Sequence, residues 1–431
     1  MHQYKTLCSI ALILAAGASG VQHSAFASGF SLPEASVAGL STTNAMVANP
    51  NETGAFAYNP AAMGFHETSS LAVGTVLIGP SFSVTTASGD HDSQGADWLA
   101  GPMIQGAFRL NEQWRLGLGV TAPFGLETRW RDGTFPAVSG TATLPVPPPL
   151  NPKVPRGQPT ASKLEILDVS PTATYRVNED LSLSGGLDIY WARSAQLNST
   201  AGELSGDGTG LGFNLSALYR HGPWSLGAAF RSTATLGLEG DYLPLSQTLV
   251  ALRRLAPAQS AELDVDLPWR LQIGARYAFS DQLAVEFDWT RTGWSEFNDL
   301  KIKGKNSGAL IFSDANDWSD ASAWRLGATY QLRPETQLRF GYAYDETGQG
   351  DDHYSARVPD NDRHLFSIGV AQALGQGYSL EAGYMYVKGV DRDYRSSRHY
   401  VSGSDLNGSD ALNGDYAMDA HLIGLEIVKV F

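Results

Sequence analysis

Arg270, Arg276, Arg325, Glu286 and Asp288 are residue types that could support chemistry, since two carboxylates among three guanidinium groups can imitate a general acid–base cluster. Their setting argues otherwise. They lie within extended, alternating segments, where opposite charges pair across strands. No catalytic motif accompanies them: the chain has no G-x-S-x-G, no H-E-x-x-H and no G-x-x-x-x-G-K-[ST], and its nine histidines are scattered. The acidic groups Asp90-His91-Asp92 and Asp351-Asp352 could hold calcium or bridge to lipopolysaccharide, but they read as solvated loops. The residues therefore imply no enzyme, no cofactor and no metal site.

Composition narrows the compartment in which such charges would be placed. Of 431 residues, 43% are hydrophobic, 17% are charged and 46 are glycine, a balance that argues against a helical membrane bundle. One apolar stretch approaches spanning length, from Leu7 to Val21. Lys5 before it and Ala25-Phe26-Ala27 after it make residues 1–27 a secretory signal, cleaved before Ser28. The formal net charge is -14, and losing Lys5 makes the mature chain more negative, which disfavours nucleic acid as a partner. Cys8, the single cysteine, leaves with the signal, so the mature chain has no disulfide. An exported chain of this kind is periplasmic, secreted or outer-membrane, and the strand pattern has to choose.

Strict apolar–polar alternation recurs along the mature sequence. Leu267, Trp269, Leu271, Ile273, Ala275, Tyr277 and Phe279 are expected on one unbroken face, opposed by Arg270, Gln272, Gly274 and Arg276. Trp324, Leu326, Ala328, Tyr330 and Leu332 repeat the device, as do Leu338, Phe340, Tyr342 and Tyr344, and again Tyr378, Leu380, Ala382, Tyr384 and Tyr386. Strands of soluble sandwiches average about 5 or 6 residues. These windows are longer and suit transmembrane strands of about 9 to 11 residues with aromatic ends.

Short links near residues 111–113, 178–180, 221–223, 280–282, 333–335 and 375–377 alternate with long ones. The long links fall near 88–97, 129–163, 199–209, 241–262, 299–320, 345–362 and 391–414. Six short and seven long connections predict an all-β, fourteen-stranded antiparallel barrel over residues 67–431, with tight turns on one rim and long loops on the other. The second long loop contains a proline-rich stretch, Pro145 to Pro159, expected to be semi-rigid polyproline. Residues 28–66 lack sustained alternation. Barrels of about 8 strands fill with their own side chains and those of 16 to 18 conduct water, so a barrel of intermediate size is expected to take this segment inside as a plug. Inward glycines such as Gly117, Gly119, Gly227 and Gly327 would make room for it.

Five segments carry a resemblance. Ser28-Gly29-Phe30-Ser31-Leu32, Asn59-Pro60-Ala61, Ala122-Pro123-Phe124-Gly125, Thr292-Gly293-Trp294-Ser295-Glu296-Phe297 and Arg357-Val358-Pro359-Asp360-Asn361-Asp362-Arg363 occur in order, and with them the chain resembles the long-chain fatty acid transporter (FadL) family of outer-membrane proteins. The resemblance implies facilitated diffusion of hydrophobic compounds such as long-chain fatty acids. Extracellular loops would capture the cargo, Phe30 and Leu32 would enter the lumenal pocket, and Asn59, Pro60 and Ala61 would form the gate of the hatch. Ala122, Pro123, Phe124 and Gly125 would open the wall at a kinked third strand. A proline inside a strand independently predicts a broken ladder there, and Gly125 removes bulk. Where fatty-acid-binding members carry a basic residue late in the fifth strand this chain has Asn198, while Arg193 matches a nearby family arginine. Without that cation a charge-assisted bond to a carboxylate is lost. Neutral or aromatic hydrocarbons by the same route therefore stay open as cargo, and a polar-solute porin is the other alternative. The expected setting is a monomeric barrel among outer-membrane lipid and lipopolysaccharide.

Overall fold

The computed structural model describes residues 29–93, 95, 98–145 and 151–431. The expected signal, residues 1–27, lies outside the described residues, as do positions 146–150 of the proline-rich stretch. No helix among the described residues is long and apolar enough to cross a membrane.

Fourteen antiparallel strands form a closed barrel. They are β1 (Ser70–Thr86), β2 (Leu99–Arg109), β3 (Trp114–Arg129), β4 (Pro159–Arg176), β5 (Leu181–Ser199), β6 (Gly202–His221), β7 (Trp224–Arg231 and Ala234–Pro244) and β8 (Gln259–Leu267 and Arg270–Ala278). The wall continues with β9 (Leu283–Thr292), β10 (Ala321–Arg333), β11 (Thr336–Asp345), β12 (Arg363–Gly375), β13 (Tyr378–Gly389) and β14 (Gly414–Val430). β14 closes on β1 in unbroken register from Ser70 against Val430 to Thr85 against Asp415. Closure pairs every wall strand, which removes the edges a membrane would not tolerate. Outward positions carry Leu226, Ile273, Phe287, Leu326, Phe340 and Ile368, all exposed, while small and polar side chains point inward.

Three details differ from expectation. The proline-rich stretch is not polyproline throughout, since Lys153–Pro155 pairs as a short strand with Thr141–Thr143. The link near 199–209 is not a long loop: β5 and β6 run on to a two-residue turn at 200–201. The glycines that read as loop are instead sites of close backbone approach, where a Cβ on Gly206 would lie 2.5 Å from the carbonyl oxygen of Glu239 on β7. The face from Leu267 to Phe279 is also not continuous. β8 is interrupted at residues 268–269, so Leu267 is buried in an internal apolar cluster while Ile273 faces outward.

Residues 29–66 lie against the inner wall. Ser36 caps a helical turn over Val37–Leu40 through Gly39 N–H at 3.1 Å, and two 3₁₀ turns follow at Thr53–Ala57 and Pro60–Phe65. Wall glycines provide the space. A Cβ on Gly117 would lie 2.5 Å from Phe56, one on Gly227 would meet the Val47 carbonyl, and one on Gly327 would lie 3.0 Å from Ala45; Gly119 leaves ordinary contact, 3.6 Å from Phe56. Acidic side chains of the wall fix the backbone of the same segment. Asp288 Oδ2 accepts from the N–H groups of Met46 and Val47 at 2.9 and 3.1 Å, and Glu286 Oε1 from Ala48 N–H at 2.7 Å. Arg339 bridges Glu52 of the segment and Glu381 of β13 at 2.7 and 2.5 Å. Hydrogen bonds contribute about 0.5–1.5 kcal/mol each and about 1.5–3 where a partner is charged, so these four contacts hold this half of the segment firmly.

Candidate functional site

The third strand breaks where proline predicts it. β3 pairs with β2 only as far as Thr121 against Met103, leaving Leu99–Pro102 of β2 with β1 alone. Toward β4 the register of β3 slips between Thr121 and Phe124. Pro123 has no N–H to give to a ladder. The N-terminal segment fills part of the gap as a short extra strand, with Leu32 N–H donating to Pro123 O at 2.7 Å and Gly125 N–H to Phe30 O at 3.0 Å, and Ser31 facing Phe124.

Two cavities meet at this point. One, of about 330 Å³, is bounded by inward residues such as Ile78, Leu99 and Phe124 and also by Ala100, Leu167 and Arg193, which alternate onto the outer face. It therefore passes through the wall. The other, of about 90 Å³, lies in the lumen among residues 29–34, Phe82, Val387 and Met418. Leu32 and Glu34 of the N-terminal segment and Ile78, Leu99, Gly125, Leu126 and Glu127 of the wall border both, so the segment and β3 together separate lumen from opening. Gly125 keeps the partition thin, since a Cβ there would lie 2.9 Å from Leu32 Cδ1.

Phe30 ends the segment in an aromatic cluster. Its ring lies 4.8 Å from Trp294, 5.2 Å from Phe297, 5.8 Å from Phe124 and 6.4 Å from Trp318. Burial of such a side chain contributes about 1.5–3 kcal/mol. Two neutral backbone bonds add about 0.5–1.5 kcal/mol each, and two contacts to carboxylates, Gly29 with Asp360 and Glu34 with Asn44, hold residues 29–34 where four hold 46–52.

Charge in the lumenal cavity is concentrated near the segment. Burial pushes the Glu34 carboxyl above its ordinary range, against a hydrogen bond from Asn44 Nδ2 at 2.9 Å and the attraction of Arg325 and Arg363. Asp360, in the loop before β12, is likewise raised by burial, with Arg363 acting against it, and its Oδ2 accepts from Gly29 N–H at 3.1 Å. Arg363 lines the cavity, and its Nε and Nη2 have no hydrogen-bond partner among the described residues.

The residues expected from sequence are only partly brought together. Phe30, Leu32, Ala122, Pro123, Phe124 and Gly125 converge on the break. Arg193 reaches the through-wall cavity from its outer side, paired with Glu165 at 3.2 Å. Asn198 lines neither cavity; it accepts from Leu204 N–H through its side chain at 3.1 Å and from Arg357 through its carbonyl at 2.9 Å. Asn59, Pro60 and Ala61 also lie away from both. Asn59 Oδ1 caps Ala61 N–H at 3.1 Å, its Nδ2 donates to Val47 O at 2.6 Å and Ala217 O at 3.0 Å, and Thr174 donates to Pro60 O at 3.0 Å. Sequence reasoning missed Arg363 and Trp318. The first sat in a matching segment with no role assigned, and the second stands in a loop without periodicity.

The chain matches the profile of the family described as "Outer membrane protein transport protein (OMPP1/FadL/TodX)" over residues 18–144 and 153–431. It is 26% identical over 353 residues to a "47 kDa outer membrane protein" of Pasteurella multocida, covering 78% of this chain and 81% of that one. It is 25% identical over 379 residues to a "Long-chain fatty acid transport protein" of Escherichia coli, covering 76% and 79%. Among solved structures, a Pseudomonas aeruginosa FadL homologue superimposes with a TM-score of 0.77 at 19% identity, over 93% of this chain and 99% of that one. The Ralstonia pickettii toluene transporter TbuX gives 0.65 at 18%, over 91% and 98%.

Proposed function

The chain belongs to the OMPP1/FadL/TodX family of outer-membrane transport proteins, and from that premise we propose that it moves hydrophobic compounds sideways out of its barrel through the break in β3. It is an outer-membrane transport protein and not an enzyme. The observation that carries the proposed route is the cavity of about 330 Å³ that touches both faces of the wall and adjoins a lumenal cavity across Leu32, Glu34 and Gly125 to Glu127. A hydrophobic solute gains nothing from a watery pore, whereas an exit into the bilayer delivers it to hydrocarbon.

In this reading the long loops capture cargo, the lumenal cavity holds it, and residues 29–34 withdraw from β3 to pass it outward. Residues 28–66 act as the hatch, but in two parts: 42–66 stay fixed to the wall and the lightly held N-terminal end moves. Asn59-Pro60-Ala61 then serves the gate as its anchor, fixing the end from which residues 29–34 swing. Phe30 and Leu32 meet the cargo, Arg193 guards the outer mouth, and Asn198 acts at one remove by holding Arg357. Lipid and lipopolysaccharide surround the barrel.

Arg363 bears on the cargo. A guanidinium with two nitrogens lacking hydrogen-bond partners, in a cavity it shares with Glu34, Glu127, Asp345 and Asp360, suits a carboxylate head group, so long-chain fatty acids are favoured here over neutral hydrocarbons. The route is tested by replacing Pro123 and Gly125 together with Val. A donor returns to the ladder and the new side chain at 125 pushes Leu32 across the gap, so uptake of labelled fatty acid should collapse while its affinity for the barrel in detergent stays near wild type. Unchanged uptake at matched surface expression overturns the lateral route.

A further inference from the structure

Beneath Ser31 and Pro33 lies a third, much smaller cavity of about 10 Å³, close to the space one water needs. Its walls are polar: Arg270 and Gln272 of β8, Thr290 of β9, Arg325 of β10 and Asn44 of the inner segment. Most of these groups are already committed. Arg325 donates to Thr43 O at 3.2 Å and to Asp345 at 3.3 Å. Gln272 Nε2 donates to Asn44 O and to Asp288 Oδ2, each at 2.9 Å. The Asn44 amide is shared between Glu34 and the Tyr58 hydroxyl at 2.9 and 2.7 Å.

Arg270 is the exception. Among the described residues it makes no hydrogen bond and no ion pair, and the charged groups nearest it electrostatically are two further guanidiniums, Arg231 and Arg325, with the hydroxyls of Tyr190 and Tyr58. Arg231 is itself consumed by Asp168 and Asp188 at 3.1 and 2.5 Å, and Glu34 Oε1 is held by Asn44. Beside Arg270, the buried hydroxyl of Thr290 has no partner. A cation among like charges, an unbonded donor and a cavity of solvent size thus coincide. Water could accept from these donors without answering the charge, whereas a small anion does both.

We propose that the cavity between Arg270, Arg325 and Thr290 binds a single halide ion, chloride in ordinary media, which holds the floor under Ser31 and Pro33. The site adjoins the gate segment at Ser31 and Pro33, but its ligand is independent of the cargo. It stands or falls without it.

The test is anomalous diffraction from crystals of the full barrel grown with sodium bromide, joined to thermal unfolding in detergent with sodium chloride or bromide against gluconate at equal ionic strength. One bromide peak is expected in contact with Arg270, together with a halide-dependent rise in the unfolding midpoint. In Arg270→Gln the peak and the rise should both vanish. Thr290→Val, which keeps the charge, should weaken bromide binding about tenfold, the loss of one hydrogen bond to a charged group, and Arg270→Lys should restore part of it. No peak at Arg270 overturns the proposal, as does a peak that persists unchanged in Arg270→Gln, which would mark an adventitious ion only.

Discussion

Two interruptions of the wall, in β7–β8 and in β3, differ in whether the neighbouring strand shares them. In β7 and β8 the interruptions at residues 232–233 and 268–269 face each other, and pairing resumes beyond them in the same register, Arg231 against Arg270 before and Ala234 against Leu267 after. Both strands turn their faces together, and Ala234 and Leu267 move into the aromatic cluster around Phe30. In β3 the neighbour on one side, β2, does not follow. β2 loses its partner above Met103, β4 slips by one residue, and the gap is edged only by residues 30–32. An unshared break leaves backbone without a strand partner, and a shared one merely turns the sheet.

The largest expected effect comes from locking the unshared break. Ser31 and Phe124 face each other as a pair flanked by, not making, the bridging hydrogen bonds, the arrangement in which strands lie closest. A disulfide from Ser31→Cys with Phe124→Cys should cut uptake at least about tenfold when oxidised and release it on reduction, as expected of a shut gate. Equal uptake in both redox states would remove residues 29–34 from the gate. Next comes the lumenal side of the same break, where Arg363→Gln should weaken fatty-acid binding about tenfold and leave binding of a neutral hydrocarbon alone, the loss of one charge-assisted bond; isothermal titration with both ligands reads the difference. The shared break supplies the control. Pro268→Ala should change uptake by less than about twofold, because both strands keep their partners there, and a collapse would show that the comparison has been drawn between the wrong two sites.

The smallest effect is electrostatic. Glu34 has an ordinary value of 4.5 and a raised one when the segment is docked. Between these the docked segment keeps a proton that the undocked one has lost. Docking therefore weakens as pH rises across that window and levels off above it. Spin-label distances from residue 31 to β1 should shift toward the undocked population over the same interval, and Glu34→Gln should flatten the response. A pH response that survives in Glu34→Gln would assign it to another group.

Much of the barrel was legible because lipid imposes a period. The window from Trp324 to Leu332 falls within β10, and that from Tyr378 to Tyr386 within β13, since a wet or packed inner face and a lipid outer face leave no other solution. Gly206 and Gly208 misled because glycine marks both loops and close approach, and only the partner strand tells which. The shared break at residues 268–269 misled because an alternating run looks the same whether or not its phase is reversed by a neighbour. At the site, Pro123 announced itself through its missing N–H, while the unpartnered nitrogens of Arg363 depend on what the strands around the cavity leave uncovered. Glu286 and Asp288 read as partners for arginine; their chief partners are backbone amides of 46–48, which no side-chain pattern discloses.

The inner segment's attachments also bear on the order in which the chain can fold. Gly29 bonds to Asp360, Thr43 to Ser367 and Glu52 to Arg339, in the first case across a separation of 331 residues. None of these can form before β11 and β12 exist, and contacts so distant in sequence carry the steepest cost in chain entropy and time. The residues nearest the N-terminus are thus among the last to be satisfied. Through most of assembly they travel with Phe30, Val37 and Leu40 uncovered, dependent on whatever shields apolar chain until the final strands arrive.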